Sequence, residues 1–237
     1  MSETQRRRWL VRTLVGMLIA VGVVVGGPWV YATFFAREAP EPLTLTPSPV
    51  VTPEVPTGPV DVAGSWYVQP GSEAGYRLDE TLSGTAVTVV GRTEDVGGSL
   101  TVEGTQLTAA SIVVDAGSIS TEESARDGFF RRALDVSTYP QATFELTQPV
   151  DLSALAESAA QVSVPVSGTL TMHGVGVPVN AAFDVQRTVD GVELAGQVPV
   201  TLSDFGLTAP DLGWVVVQPT GAVEVYLLLG RTAPTDG

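Results

Sequence analysis

The sequence has no cysteine, no lysine and a single histidine, His173. Without cysteine there can be no disulfide, thiolate nucleophile, zinc–thiolate site or lipidated-cysteine anchor. That absence does not fix the compartment, because an extracytoplasmic protein need not carry disulfides. Charge is sparse as well. Only 16% of the 237 residues are charged against 44% hydrophobic, which excludes a disordered, charge-rich chain. Every basic residue is arginine, and five of the twelve (Arg6, Arg7, Arg8, Arg12 and Arg37) precede residue 60. From Val60 onward seven arginines face 22 acids, a net charge of −15. Such a surface repels phosphate backbones and argues against a nucleic-acid partner.

The front of the chain is present in strength. Thr13–Ala36 is 24 residues without a charge, about 36 Å of helix and long enough to cross a bilayer core. Four arginines precede it and one follows, which orients residues 1–12 to the cytoplasm and all beyond Arg37 outside. Trp29 and Tyr31 fall where interfacial rings are favoured. A cleaved signal peptide would have a shorter apolar core and a small-residue cleavage site, and "YATFFAR" is a poor one, so an uncleaved single-pass anchor over 13–36 is the reading. Residues 37–62 hold seven prolines between Pro40 and Pro59, the mark of a semi-rigid spacer on which a domain stands off the membrane. A domain over 63–231 and a tail over 232–237 complete the division.

Within that domain the apolar residues recur with period two. Val162, Val164, Val166, Leu170 and Met172 share one parity, as do Val175, Val177, Val179, Ala181, Phe183 and Val185. Val192, Leu194, Val198, Val200 and Leu202 repeat the pattern, and so do Ala142, Phe144 and Leu146, and Val223, Val225, Leu227 and Leu229. Strict alternation specifies antiparallel strands with one apolar and one wet face. Further strands are expected near Trp66–Val68, Tyr76–Leu82, Thr85–Gly91, Gly98–Glu103 and Gln106–Asp115. Eight to ten strands with short turns give an all-β barrel or sandwich, and a closed barrel leaves no exposed edge. One helix interrupts them: Ser120 with Glu123 three residues on has capping-box spacing, and Phe129, Phe130, Ala133 and Leu134 form an apolar face. "SDFGLT" (Ser203–Thr208) reads as a shorter helical turn.

Candidate chemistry is thin. His173 continues the polar parity of its strand, and "MHGVG" reads as a turn in which Gly174 supplies φ > 0. No carboxylate lies nearby at ligand spacing, so no metal site is expected, and there is no nucleophile elbow, phosphate loop or dinucleotide fingerprint. Asp127 beside Arg126 reads as a surface helix pair, and Glu94–Asp95 and Glu122–Glu123 as solvated turns. An eight-stranded barrel has room inside for packed side chains or for one small ligand, and the wholly apolar inward parity suits a greasy one. Parity alone leaves both fillings open.

"SIVVDAGSISTEESARDGFFRRALDVSTYPQATFEL", "VSGTLTMHGVGVPV" and "SDFGL" together resemble the YceI-like family of bacterial polyisoprenoid-binding proteins. The matching positions are Asp127, Tyr139–Pro140, Ala142–Phe144, Gly168, Leu170–Thr171, Gly174–Val175, Pro178–Val179 and Asp204–Gly206, over roughly Gly64 to Gly230. The resemblance implies an extended lipocalin-like antiparallel barrel with one or two short helices, whose bore holds a long isoprenoid chain. It implies binding in the cell envelope and no catalysis, with no cofactor beyond a bound polyprenyl lipid or isoprenoid quinone. On that reading Phe129, Phe130 and Leu134 close one mouth, while Phe144, Leu146, Leu170, Met172 and Phe183 line the bore. Relatives that begin the barrel with "HS-x-x-x-F" differ from this chain, which has "GSEAGYRL" with Tyr76 at the aromatic place. Many relatives are also secreted, whereas this chain is tethered on the present reading. The alternatives are a solid barrel displayed on a stalk to bind a protein, and an enzyme using His173 with an acid.

Overall fold

The computed structural model describes residues 39–46, 58–121 and 123–234. The expected anchor over 13–36 and the basic residues 1–12 lie outside these, and no described helix is long and apolar enough to cross a membrane.

The period-two segments form strands β1 (Gly64–Val68), β2 (Glu73–Leu82), β3 (Thr85–Thr93), β4 (Val96–Glu103), β5 (Gln106–Asp115), β6 (Gln141–Leu146), β7 (Val150–Asp151), β8 (Val162–Met172), β9 (Val175–Arg187), β10 (Val192–Thr201) and β11 (Val215–Gly230). Two short helices, α1 (Ser124–Ala133) and α2 (Ser153–Glu157), and a 3-10 turn at Leu202–Phe205 complete the fold. β2 pairs with β3 and β1 with β4, so β1 and β2 follow one another along one long, interrupted stave and β3 and β4 along the next. β11 pairs with β10 along one side and with β2 and then β1 along the other. The ring therefore closes, and all its pairings are antiparallel: an eight-stranded up-and-down barrel.

Strand direction sorts the connections into two ends. Residues 83–84, 116–140, 173–174 and 202–214 lie at one end, hereafter the mouth. Residues 104–105, 147–161 and 188–191 lie at the other, the floor. At the floor Trp66 Nε1 donates to the Val62 carbonyl at 2.9 Å, and the Arg231 guanidinium lies 3.9 Å from the Trp66 ring centre. That cation–π contact and the buried Val62, Leu155, Val192 and Leu229 shut this end.

The wall has a seam. β9 pairs with β10 only between Phe183 and Arg187, and toward the mouth the two strands part. The 3-10 turn fills the gap. Phe205, 1% exposed, packs against Leu170, Val198 and Val200, with Val177, Val179 and Ala181 of β9 around it. The inward parity of β9 is as expected, but its mouth half packs on this plug.

Helix α1 begins later than its sequence signal. Ser120 forms a backbone bridge with Arg92 of β3, so it is committed to the sheet edge, and no side chain caps the helix at Glu123. Asp127 takes over part of that work: its Oδ1 accepts from the Thr121 backbone N–H (2.8 Å) and hydroxyl (2.7 Å). Asp127 is buried, and Arg126 bonds Glu80 at 3.0 Å, so the expected surface pair between the two is absent. A buried carboxylate needs those donors, which is why the chain folds back on Thr121.

Ala39–Thr46, within the stretch read as a spacer, follows the outer wall. Arg77 Nη2 donates to the Pro40 carbonyl at 2.6 Å, and Arg92 reaches the Glu41 carbonyl. Thr46 bonds Tyr226, Glu193 and Gln186. Beneath this strap Glu224 accepts from Arg77, Arg92 and Gln197.

Candidate functional site: an apolar bore

The interior is not filled. A cavity of about 180 Å³ occupies the mouth half, and a second of about 80 Å³ lies toward the floor. Leu100, Leu107, Val166, Phe183 and Leu194 border both, so the two voids are stacked along one bore. The larger exceeds the ~150 Å³ apolar cavity that stays dry and binds benzene. Its walls are almost wholly hydrocarbon, and of the residues that border it Tyr76, Tyr139, Gln141, Thr143 and His173 carry polar side-chain groups.

Glycines keep it open. The ring of Phe144 lies where a Cβ on Gly168 would come within 2.2 Å, and Phe183 stands in the same relation to Gly196 at 2.6 Å, as does Tyr76 to Gly91 at 2.6 Å. Each aromatic side chain thus rests against the wall, over a strand position that has no side chain. Each of those three positions sits opposite or diagonal to its ring on the neighbouring strand, so the sheet register itself makes the recess.

The sequence-chosen residues fall as follows. Phe130, Leu134, Phe144, Leu146, Leu170, Met172 and Phe183 all border the larger cavity. Phe130 stacks on Tyr76 with ring centres 4.3 Å apart and 19° between planes, and so joins α1 to β2 across the mouth. Phe129 is elsewhere: it is 44% exposed and not among the cavity-lining residues, because the next position on the helix is the one that faces inward. Leu202, on the inward parity of its segment, also borders the bore, whereas sequence reasoning missed Ile119, Leu207 and Ala222, which border it too. Two of these, Ile119 and Leu207, lie in the connections at the mouth, where no strand periodicity exists to reveal them. Burial pushes the Tyr76 phenol well above its usual pKa, with Arg126 countering and Asp127 and Glu80 adding to the rise.

His173 is a turn residue. It and Gly174 join β8 to β9 with φ of 52° and 73°, the pair of positive values that a two-residue hairpin turn requires. Its Nδ1 lies 3.2 Å from the Phe205 carbonyl, and its ring meets Tyr139 edge-on at 5.4 Å. The histidine thereby ties the hairpin tip to the plug in the seam.

The YceI-like domain model matches residues 66–228, which spans the barrel from β1 to β11. The chain belongs to the YceI-like family. A curated relative, a UPF0312 protein of Pseudomonas putida (strain GB-1), is 32% identical over 130 residues. The alignment covers 51% of this chain and 64% of that relative's length. Two solved structures share the fold of this YceI-like barrel. A polyisoprenoid binding domain from Saccharophagus degradans, implicated in plant cell wall breakdown, superposes with a TM-score of 0.59 at 23% identity, over 70% of this chain and 98% of that one. Burkholderia cenocepacia BcnA superposes with a TM-score of 0.53 at 18% identity, over 69% and 99%.

Proposed function

We propose that this YceI-like barrel is a binding protein for a long apolar isoprenoid lipid, a polyprenyl chain or an isoprenoid quinone, held lengthwise in the bore. The observation that carries the reading is the stacked pair of hydrocarbon-lined voids along the barrel axis. Each methylene moved from water into such a lining gains about 0.8 kcal/mol, so a prenyl tail binds tightly without a polar contact. A likeness in fold to a polyisoprenoid binding domain, together with family membership, supports the same choice. The solid-barrel interaction module needed a packed interior, and the cavity removes its premise. The role is carriage, not turnover: His173 is engaged in holding a turn and a seam. The uncharged run at 13–36 would tether the carrier on the outer face of the membrane that supplies its ligand.

Native mass spectrometry of the full chain, extracted in mild detergent, tests the proposal. The expected result is a chloroform-extractable adduct with the mass of a prenyl lipid. Ala110→Phe, which places a ring in the larger cavity, should abolish it without unfolding the barrel. Wild-type protein that carries no lipid, and takes up neither polyprenol nor quinone when offered them, would overturn the reading.

A further inference from the structure

We infer that the mouth end of the barrel docks directly on a lipid bilayer, with Leu212 and Trp214 as its inserted tip. Six large hydrophobic residues of the described chain are exposed: Phe129, Tyr139, Val175, Val189, Leu212 and Trp214. Five of them lie at the mouth end, and only Val189 is in a floor connection. A random scatter of surface apolar residues needs no explanation, but a ring of them around an oily opening does.

The tip is built, not loose. The Leu212 N–H donates to the Val215 carbonyl at 2.9 Å, the Asp211 carboxylate accepts from the Gly213 N–H at 2.9 Å, and Ser83 of the adjoining β2–β3 turn donates to the Trp214 carbonyl at 2.7 Å. Gly213 takes φ = 79° between them. This small hairpin holds Leu212 at 57% and Trp214 at 55% exposure. Tyr139, 38% exposed, belongs both to this rim and to the cavity wall, so the outer apolar surface is continuous with the bore. Tryptophan and tyrosine are the side chains best suited to the headgroup boundary, with a large apolar body and one polar group.

The course of the strap says why the occupant is a membrane. Pro40 is held by Arg77, which pairs with Ala222, and Thr46 by Tyr226, which pairs with Glu73 nearer the floor. The chain therefore runs down the wall from the mouth side toward the floor. Ala39 thus stands at the end of the strap nearer the mouth, and in the sequence the uncharged run ends three residues before it, at Ala36, at most about 10 Å of chain. If that run spans a bilayer, as proposed above, the bilayer lies within reach of the mouth. With a net charge of −15 beyond Val60 the docking is by apolar insertion, not by attraction to anionic headgroups. The inference rests on the lipid-carrier proposal for its purpose, since the ligand would pass from bilayer to bore without crossing water. The contact itself is tested separately.

The chain's lack of cysteine makes single-site spin labels direct. The full chain carrying Leu212→Cys, or Val189→Cys as the floor-end reference, is reconstituted into phosphatidylethanolamine–phosphatidylglycerol vesicles. Label accessibility to oxygen and to a water-soluble nickel chelate is then read. The expected result is oxygen access with chelate exclusion at 212, and chelate access at 189. Equal chelate access at both sites overturns the inference. So does exclusion of both reagents at 212, which would mean that a protein surface covers the tip. In a second arm, Leu212→Asp/Trp214→Asp should slow the pick-up of a fluorescent polyprenol from vesicles by roughly tenfold, while uptake of the same lipid from detergent is unchanged. An unchanged vesicle rate overturns docking. Failure of uptake from detergent in the parent chain would instead sink the carrier proposal and leave the label result standing.

Discussion

Arg77 Nε sits 2.6 Å from Glu224 Oε1, and Glu224 has no exposed surface although it projects from the outer side of the barrel. Arg92 Nη2 holds the other oxygen at 3.0 Å, and Gln197 adds a third donor. The same two arginines grip the strap through the carbonyls of Pro40 and Glu41. Glu224 is thus the charge around which the wall of β2, β3, β10 and β11 and the upstream segment are gathered. Removing one member of such a cluster leaves partners desolvated and uncompensated. Glu224→Gln should cost about 3 kcal/mol of unfolding free energy, read from a urea melt. It should also loosen the strap, seen as faster amide exchange at Thr46. A change within the error of the melt would show the cluster to be incidental.

Gly168→Ala should destabilise the barrel by about 2 kcal/mol, because the new methyl would meet the Phe144 ring at 2.2 Å and the Glu145 carbonyl at 2.7 Å. The ring can swing away only into the bore, whereas the carbonyl belongs to the strand. Binding of an apolar dye to the cavity should therefore fall along with the unfolding midpoint. Adding Phe144→Ala should restore dye binding but only part of the stability, since the clash with the Glu145 carbonyl remains. Full recovery of both would show that the ring alone sets the spacing.

The barrel was legible because a strand with one dry face writes period two into the sequence, and Val162–Met172, Val192–Thr201 and Val223–Leu229 do so. The bore-side parity of Phe144, Leu170 and Met172 followed from the same rule. The void itself was not legible. Whether an apolar face packs solid depends on which rings lie over Gly91, Gly168 and Gly196, a cross-strand relation fixed only by register. The start of α1 was misplaced because Ser120–Glu123 satisfies the capping pattern locally, while pairing of Ser120 with Arg92, 28 positions earlier, wins the residue for the sheet edge. The seam and its plug had no periodic signal. "SDFGL" is a run of ordinary residues until Phe205 is seen filling the space between β9 and β10. The strap was hidden by its prolines, which exclude helix and central strand but not an extended segment lying on a wall.

Tyr76 should give the domain an alkaline limit. Its phenol is raised by burial, so the folded state favours the neutral form more than the unfolded state does. The group thus contributes stability that is fully present below its unfolded value of 10.0 and is lost progressively as pH rises above it. In a pH series the melting temperature should begin to fall near pH 10, and Tyr76→Phe should flatten part of that fall. The variant keeps the stack on Phe130 at 4.3 Å, so its stability at neutral pH should be close to wild type. Ionisation of this tyrosine below pH 10 in the folded protein, followed by absorbance near the phenolate band, would contradict the assignment.

His173→Asn separates a turn from a catalytic base. Residues 173 and 174 both have positive φ, and asparagine followed by glycine is the sequence such a two-residue turn accepts most readily. The substitution removes the contact of His173 Nδ1 with the Phe205 carbonyl, which loses about 1 kcal/mol, and improves the turn by a similar amount. Global stability should therefore change by less than about 1 kcal/mol. The seam should respond instead: with the hairpin tip no longer tied to the plug, amide exchange at Gly206 and Leu207, which bond back to Ser203 and Leu202, should quicken while exchange at Ala195 in β10 stays slow. His173→Ala should lose stability beyond the asparagine variant, since alanine tolerates φ of 52° poorly and cannot reach Phe205. If asparagine and alanine proved equally harmful, the demand at this position would be for the imidazole itself, and the turn account would fail.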